Sequence, residues 1–155
     1  GNKIKYVLDG GVCEIGIEST IINLIGKPTI LRLGGLDISK IKKTLGSKLN
    51  LAINPKKKIA PGQSHLHYSP GIPLRMNIIK PKNNEAFILF KKRKKKLKDY
   101  FYLTVNNSLD EAAKNLYSCL RSIKNKGYKS IAVEKIPNKG LGKAINDRLK
   151  RASSY

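Results

Sequence analysis

The sequence predicts an α/β protein whose second half is a small parallel sheet, and three observations lead there. Apolar, strand-like runs at Glu85–Phe90, Tyr100–Val105 and Ser130–Ile136 alternate with amphipathic helical patterns, the arrangement of parallel strands joined by crossovers. The helices are punctuated: Ser108 caps the first, Glu111 completes a capping box and Gly127 stops it. No apolar run approaches the length needed to span a bilayer.

Taken in order, Lys3–Leu8 alternates as a strand and Asp9-Gly10-Gly11 turns. Glu18–Leu24 and Pro28–Leu33 are β-branched runs separated by Gly26-Lys27, a predicted hairpin or tight strand pair. Asp37 caps a short helix carrying Ile38, Ile41 and Leu45 on one face, with Gly46 at its end. Pro73–Ile79 is extended. After the basic run Lys91–Lys98, expected to be a loop, the helix from Ser108 has the stripe Leu109, Ala112, Ala113, Leu116, Tyr117, Leu120 and Ile123. A last helix over Leu141–Ala152 turns Leu141, Ala144, Ile145 and Leu149 inward. Residues 73–155 thus read as a small complete domain. Residues 1–58 offer three short strands and one short helix, too little to cover their apolar faces, and read as the tail of a larger domain.

Between the halves lies Ala60–Pro70, A-P-G-Q-S-H-L-H-Y-S-P, with no charged residue although Lys56-Lys57-Lys58 is just upstream. A plain linker would be richer in small flexible or charged residues, so this crossing is expected to pass over a binding site. His65 and His67 form an H-x-H pair, but no cysteine or carboxylate cluster accompanies them, and a zinc site is set aside.

The formal net charge is +22, from 26 lysines and six arginines against ten acids. Such a charge suggests nucleic acid. Lysine, asparagine and isoleucine all have A/T-rich codons, however, so genome composition alone can raise the lysine count. Two cysteines, Cys13 and Cys119, make no disulfide framework and point to a reduced, cytoplasmic setting. Cys13 has no base nearby and is expected to be a packing residue. The chain begins at Gly1 and its single methionine is Met76, so the natural initiator is expected to be missing through processing, tagging or truncation.

Four motifs stand in order: Asp9–Leu24 (D-G-G-V-C-E-I-G-I-E-S-T-I-I-N-L), Ile30–Gly34 (I-L-R-L-G), Ala60–Pro70, and Gly140–Leu149 (G-L-G-K-A-I-N-D-R-L). Together they resemble the Sua5 branch of the Sua5/YrdC family, the threonylcarbamoyl-AMP synthases, and Arg32 falls thirteen residues after Ser19 as in that pattern. The resemblance implies an incomplete YrdC-like α/β domain over 1–58, an interdomain linker or lid over 59–72, and a Rossmann-like parallel-sheet Sua5 domain over 73–155. It implies condensation of L-threonine, bicarbonate and ATP to threonylcarbamoyl-AMP and pyrophosphate, serving t6A modification of tRNA, with Mg2+ carried by the ATP.

By the same resemblance Ser19 contacts L-threonine, a task its hydroxyl suits because it can donate to a carboxylate and accept from an ammonium. Arg32 is assigned to ATP, where a planar guanidinium matches phosphate oxygens. Tyr68 is the linker tyrosine that reaches over the nucleotide. No residue is assigned a catalytic role, and Asp9, Glu14 and Glu18 are expected to be structural. The Gly140-x-Gly142 turn lacks the spacing of a nucleotide loop and is expected to be a close-packed helix start. Leu33 stands where relatives commonly have proline. A lysine/arginine/serine constellation and a serine/asparagine loop of the family pocket have no counterpart. The chain is therefore expected to be the C-terminal portion of a synthase, from a split or decayed frame or a cut piece, inactive without its N-terminal part. The alternative is a non-catalytic module binding tRNA or double-stranded RNA through Lys91–Lys98 and Lys143, Arg148, Lys150 and Arg151.

Overall fold

The computed structural model describes residues 2–46, 49–52, 58–64, 68–94 and 97–153. The second half is the expected parallel sheet, in the order β4-β7-β5-β6, built from β4 (Leu74–Arg75), β5 (Ala86–Lys91), β6 (Tyr100–Thr104) and β7 (Ile131–Val133). Helix α2 (Leu109–Asn125) connects β6 to β7, and α3 (Gly142–Ala152) follows. The first half holds a three-stranded sheet, β1 (Ile21–Asn23), β2 (Thr29–Arg32) and β3 (Asn50–Leu51), with α1 (Ile38–Leu45) before β3. β1 and β2 are the expected antiparallel pair.

Strand β5 shows why its run is almost wholly apolar. Ile88 and Phe90 face the main core, while Phe87 and Leu89 pack with Ala132, Ile78 and Tyr100 on the other side. A strand covered on both faces has no polar positions to offer. The main core is continuous across both halves: Ile17, Ile30, Leu33, Ile38 and Ile41 join Leu116, Leu120, Ile145 and Leu149.

Local signals explain the helix ends. Asp37 accepts from the Ser39 amide at 2.9 Å and Gly46 closes α1 in the left-handed conformation, although Leu45 stays exposed. Ser108 accepts from the Glu111 amide at 3.2 Å. The reciprocal half of the capping box is not made. The Glu111 carboxylate instead takes the Thr104 hydroxyl and the Val105 amide, while Thr104 Oγ1 accepts from the Ser108 amide. The carboxylate thus ties the helix start to the end of β6.

Two expectations of the sequence are corrected. Residues 3–8 are exposed and not a strand; alternation supplies a face, but a strand also needs a neighbour for its backbone groups. The extended reach of Pro73–Ile79 is interrupted because Asn77 adopts φ 58, and pairing to β7 resumes only at the Ile78 amide. The Gly140-x-Gly142 turn is the expected close-packed helix start: a β-carbon on Gly142 would lie 1.9 Å from the Pro137 carbonyl oxygen. Gly142→Ala should therefore lower the urea midpoint by the equivalent of about 1–3 kcal/mol, as forced overpacking does; an unchanged midpoint would show that the α3 start yields freely.

Candidate functional site

Ser19 lies just before β1 and Arg32 ends β2, so antiparallel pairing brings them together. Arg32 Nε donates to the Ser19 carbonyl at 3.0 Å and Nη2 to the Ser19 hydroxyl at 3.1 Å. The I-L-R-L-G motif explains the tightness of this pairing. A β-carbon on Gly34 would sit 2.2 Å from the Ser19 carbonyl carbon, so only glycine lets the chain after Arg32 pass this close. Thr20 fastens the same place, its hydroxyl donating to the Leu36 carbonyl at 2.9 Å.

The described residues of the crossing, 60–64 and 68–70, fold onto this pair. Arg32 Nη1 points at the Pro61 carbonyl, 3.5 Å away. Gly62 lies against the Tyr68 hydroxyl and Arg32 Cδ, 2.7 and 3.1 Å from where its β-carbon would be. The crossing is pinned by Gln63, 2% exposed. Its Oε1 accepts from the Ile59 and Ala60 amides and its Nε2 donates to the Leu31 carbonyl. Tyr68 takes φ 66, a left-handed conformation unusual for a bulky residue. Its ring stacks on Tyr117 at 5.7 Å between centroids. All three predicted site residues, Ser19, Arg32 and Tyr68, are thus brought to one place. The H-x-H pair, His65 and His67, lies outside the described residues.

Behind them is a charged cluster. Arg148 of α3 is fully buried. Its Nε donates to Glu18 Oε2 at 3.0 Å, its Nη2 to the Leu33 carbonyl at 2.7 Å and its Nη1 to Asp147 at 2.7 Å. The guanidinium also lies over the Tyr68 ring, 4.8 Å from its centroid. Arg151 pairs with Asp147 and donates to the Ser64 carbonyl at 3.0 Å. Glu18 further accepts from the Tyr117 hydroxyl at 3.2 Å.

Burial raises the Glu18 carboxyl, but hydrogen bonding from its own backbone and the Arg148 guanidinium outweigh it and hold the group below its ordinary 4.5. Burial and the neighbouring Glu18 push the Tyr68 phenol up to about 12, so it stays a neutral donor.

Two sequence expectations change here. Arg148 and Arg151 are buried, at 0% and 5% exposure, and are not presented to an RNA. Their signal was spacing: Arg148 shares an α3 face with Ala144, Ile145 and Leu149. Cys13, expected to pack, is exposed. Gln63 carried no signal beyond its place in the uncharged crossing.

A family model for the threonylcarbamoyl-AMP synthase C-terminal domain matches residues 35–154. The chain belongs to the threonylcarbamoyl-AMP synthase family. It is 33% identical to the threonylcarbamoyl-AMP synthase of Pyrococcus abyssi over 99% of this chain and 50% of that protein. With the synthase of Schizosaccharomyces pombe it is 28% identical over 98% of this chain and 46% of that one. The crystal structure of P. abyssi Sua5 complexed with L-threonine superposes with a TM-score of 0.82 and 29% identity, covering 99% of this chain and 51% of that chain. The chain thus spans about half the length of the synthases it matches.

The Glu18 shift gives a pH test with a definite sign. Because the folded carboxyl titrates below its ordinary 4.5, its ionised form stabilises the fold above that value. The contribution is lost as pH falls through the folded value. Glu18→Gln should cost about 1–3 kcal/mol at pH 7, the range for an under-satisfied buried polar group. It should also make the acid limb of the stability curve shallower; an unchanged limb contradicts the assignment. A second check concerns the thiols. Burial pushes Cys119 up to about 12, so at pH 8 an alkylating reagent should modify Cys13 rapidly and Cys119 slowly, and Cys13→Ser should remove the fast phase.

Proposed function

We propose that the chain serves as part of an L-threonylcarbamoyladenylate synthase, converting L-threonine, bicarbonate and ATP to threonylcarbamoyl-AMP and pyrophosphate for tRNA modification. Ser19 binds L-threonine, Arg32 binds the ATP phosphates and Tyr68 closes over the nucleotide. The observation that carries this reading is the Arg32–Ser19 contact, a guanidinium 3.1 Å from a hydroxyl across paired strands. The product joins a carbamate oxygen on threonine to the α-phosphorus, so the amino acid and the triphosphate must lie side by side, as these two groups do.

Ser19 is exposed and Arg32 half-buried. A guanidinium carries five N–H donors, which leaves Arg32 donors for an anion beyond its three bonds to Ser19 and Pro61. A fixed cation of this kind stabilises charge developing on phosphoryl oxygens. Mg2+ is brought on the triphosphate in this reading.

The reading includes a requirement for pocket groups beyond these 155 residues. Ile4, Tyr6, Val7, Leu8, Val12 and Ile15 are exposed, an apolar stretch of the kind that packs against more protein. The purified chain with L-threonine, bicarbonate and ATP should form no threonylcarbamoyl-AMP, and adding a YrdC-type catalytic half should start its formation. In that assembly Arg32→Ala should lower the rate about a hundredfold, the scale of losing one preorganised donor. Product from the chain alone would remove the requirement for a second half. Indifference of the assembly to both Arg32→Ala and Ser19→Ala would end the reading.

A second reading, a tRNA-binding surface, is favoured by edge strand β6. Its half-exposed Tyr102 lies under the Lys92 ammonium, 5.5 Å from the ring centroid, beside the exposed described residues of Lys91–Lys98. Stacking rings among cations suit single-stranded nucleic acid. Affinity for tRNA should then fall steeply with salt, and neutralising Lys91–Lys98 should abolish it; salt-independent or absent binding removes this reading.

A further inference from the structure

Ser19 and Arg32 each stand one position from a group that α3 holds. Ser19 follows Glu18, whose carboxylate takes Arg148 Nε, and Arg32 precedes Leu33, whose carbonyl takes Arg148 Nη2. The third edge of the same guanidinium is turned to Asp147, which also receives Arg151, and Arg151 reaches the crossing at Ser64. Tyr68 covers the guanidinium face. One planar group therefore touches all the segments that carry the site residues, and it comes from the half of the chain that carries none of them.

An arginine is an expensive choice for this position. Arg151 apart, the buried residues of α3 around it are Gly142, Ala144, Ile145, Leu149 and Ala152, and an apolar side chain at 148 would serve packing without desolvating a charge. What an apolar side chain cannot do is hold three acceptors at fixed angles, which a rigid fork does. We propose that Arg148 is the positioning residue of the substrate pocket, setting the spacing of the Ser19 hydroxyl and the Arg32 guanidinium from α3 without touching substrate. This rests on the assignment of Ser19 and Arg32 above. It gives residues 73–155 a direct influence on the reaction: small displacements of reacting groups carry large rate penalties, and α3 decides where these groups stand.

The test uses the chain assembled with a YrdC-type catalytic half, with Arg148→Lys, which keeps charge and loses the fork, and Glu18→Gln, which keeps shape and loses charge. Arg148→Lys should raise the KM for L-threonine about ten- to a hundredfold, in the range expected for sub-ångström to ångström misplacement. Glu18→Gln should act in the same direction and more weakly, and the double variant should fall short of the product of the two. A second readout needs no substrate. The Gly35 amide donates to the Glu18 carbonyl and the Leu36 amide to Thr20 Oγ1, so hydrogen exchange at both should quicken in the variants while the centre of α2 stays protected.

A merely structural arginine would lower the urea midpoint and the amount of active enzyme but leave KM unchanged. That result overturns the proposal. Should Arg148→Lys fail to fold, Glu18→Gln decides by the same two readouts. Should the unsubstituted assembly make no product, the proposed function falls. Gly35 and Leu36 exchange still decides the positioning claim, which unchanged protection would overturn.

Discussion

Arg148 enters a largely apolar helix face where an unpaired charge would cost several kcal/mol, so losing any one partner carries a cost. Glu18, Asp147 and the Leu33 carbonyl satisfy its fork, and the Tyr68 ring covers its face. Each partner also belongs to a different part of the chain: the segment before β1, α3 itself, the turn after β2, and the crossing. The cluster therefore does what a wholly apolar junction would do loosely, which is to select one relative placement of those segments. Buried charge adds little net stability in general, but its directionality makes alternatives costly.

The Ala60–Pro70 crossing depends on that placement. Gln63 closes its entry through four hydrogen bonds to Ile59, Ala60, Leu31 and Ala52, and Arg151 holds Ser64. Tyr68 then pays for an unfavourable φ with contacts to Tyr117 and Arg148. The absence of charged residues from the crossing follows from this: its backbone and glutamine are anchored inside, while the charges come from the elements it lies on.

Much of the fold was legible because period and punctuation agreed. The strand at Ala86–Lys91, the helix capped by Ser108 and the helix ended by Gly46 each had an apolar pattern and an end signal. Residues 3–8 had only the pattern, and alternation without a partner strand was not enough. Ser19, Arg32 and Tyr68 were legible only through motif resemblance, since a serine before a strand or an arginine in one is ordinary. The Glu18–Arg148 pair could not be read at all as a pair, being separated by 130 positions. Arg148 alone was detectable as a charge on an inward stripe, yet the abundance of lysine made every basic residue look like surface.

Few carboxylates serve this polycation, and most of them face inward tasks. Glu18 and Asp147 serve the arginines of α3, and Glu85 holds Arg75 and the Lys82 amide. Glu134 binds Arg93 and the Phe90 amide, Glu111 ties β6 to α2, and Asp99 accepts from Tyr128. Little negative charge is left to neutralise the lysines outside. The outer shell is therefore dominated by mutual repulsion, and electrolyte relaxes that repulsion more than it weakens the sheltered pairs. Moderate ionic strength should therefore stabilise this fold, the reverse of its effect on a protein held by exposed ion pairs.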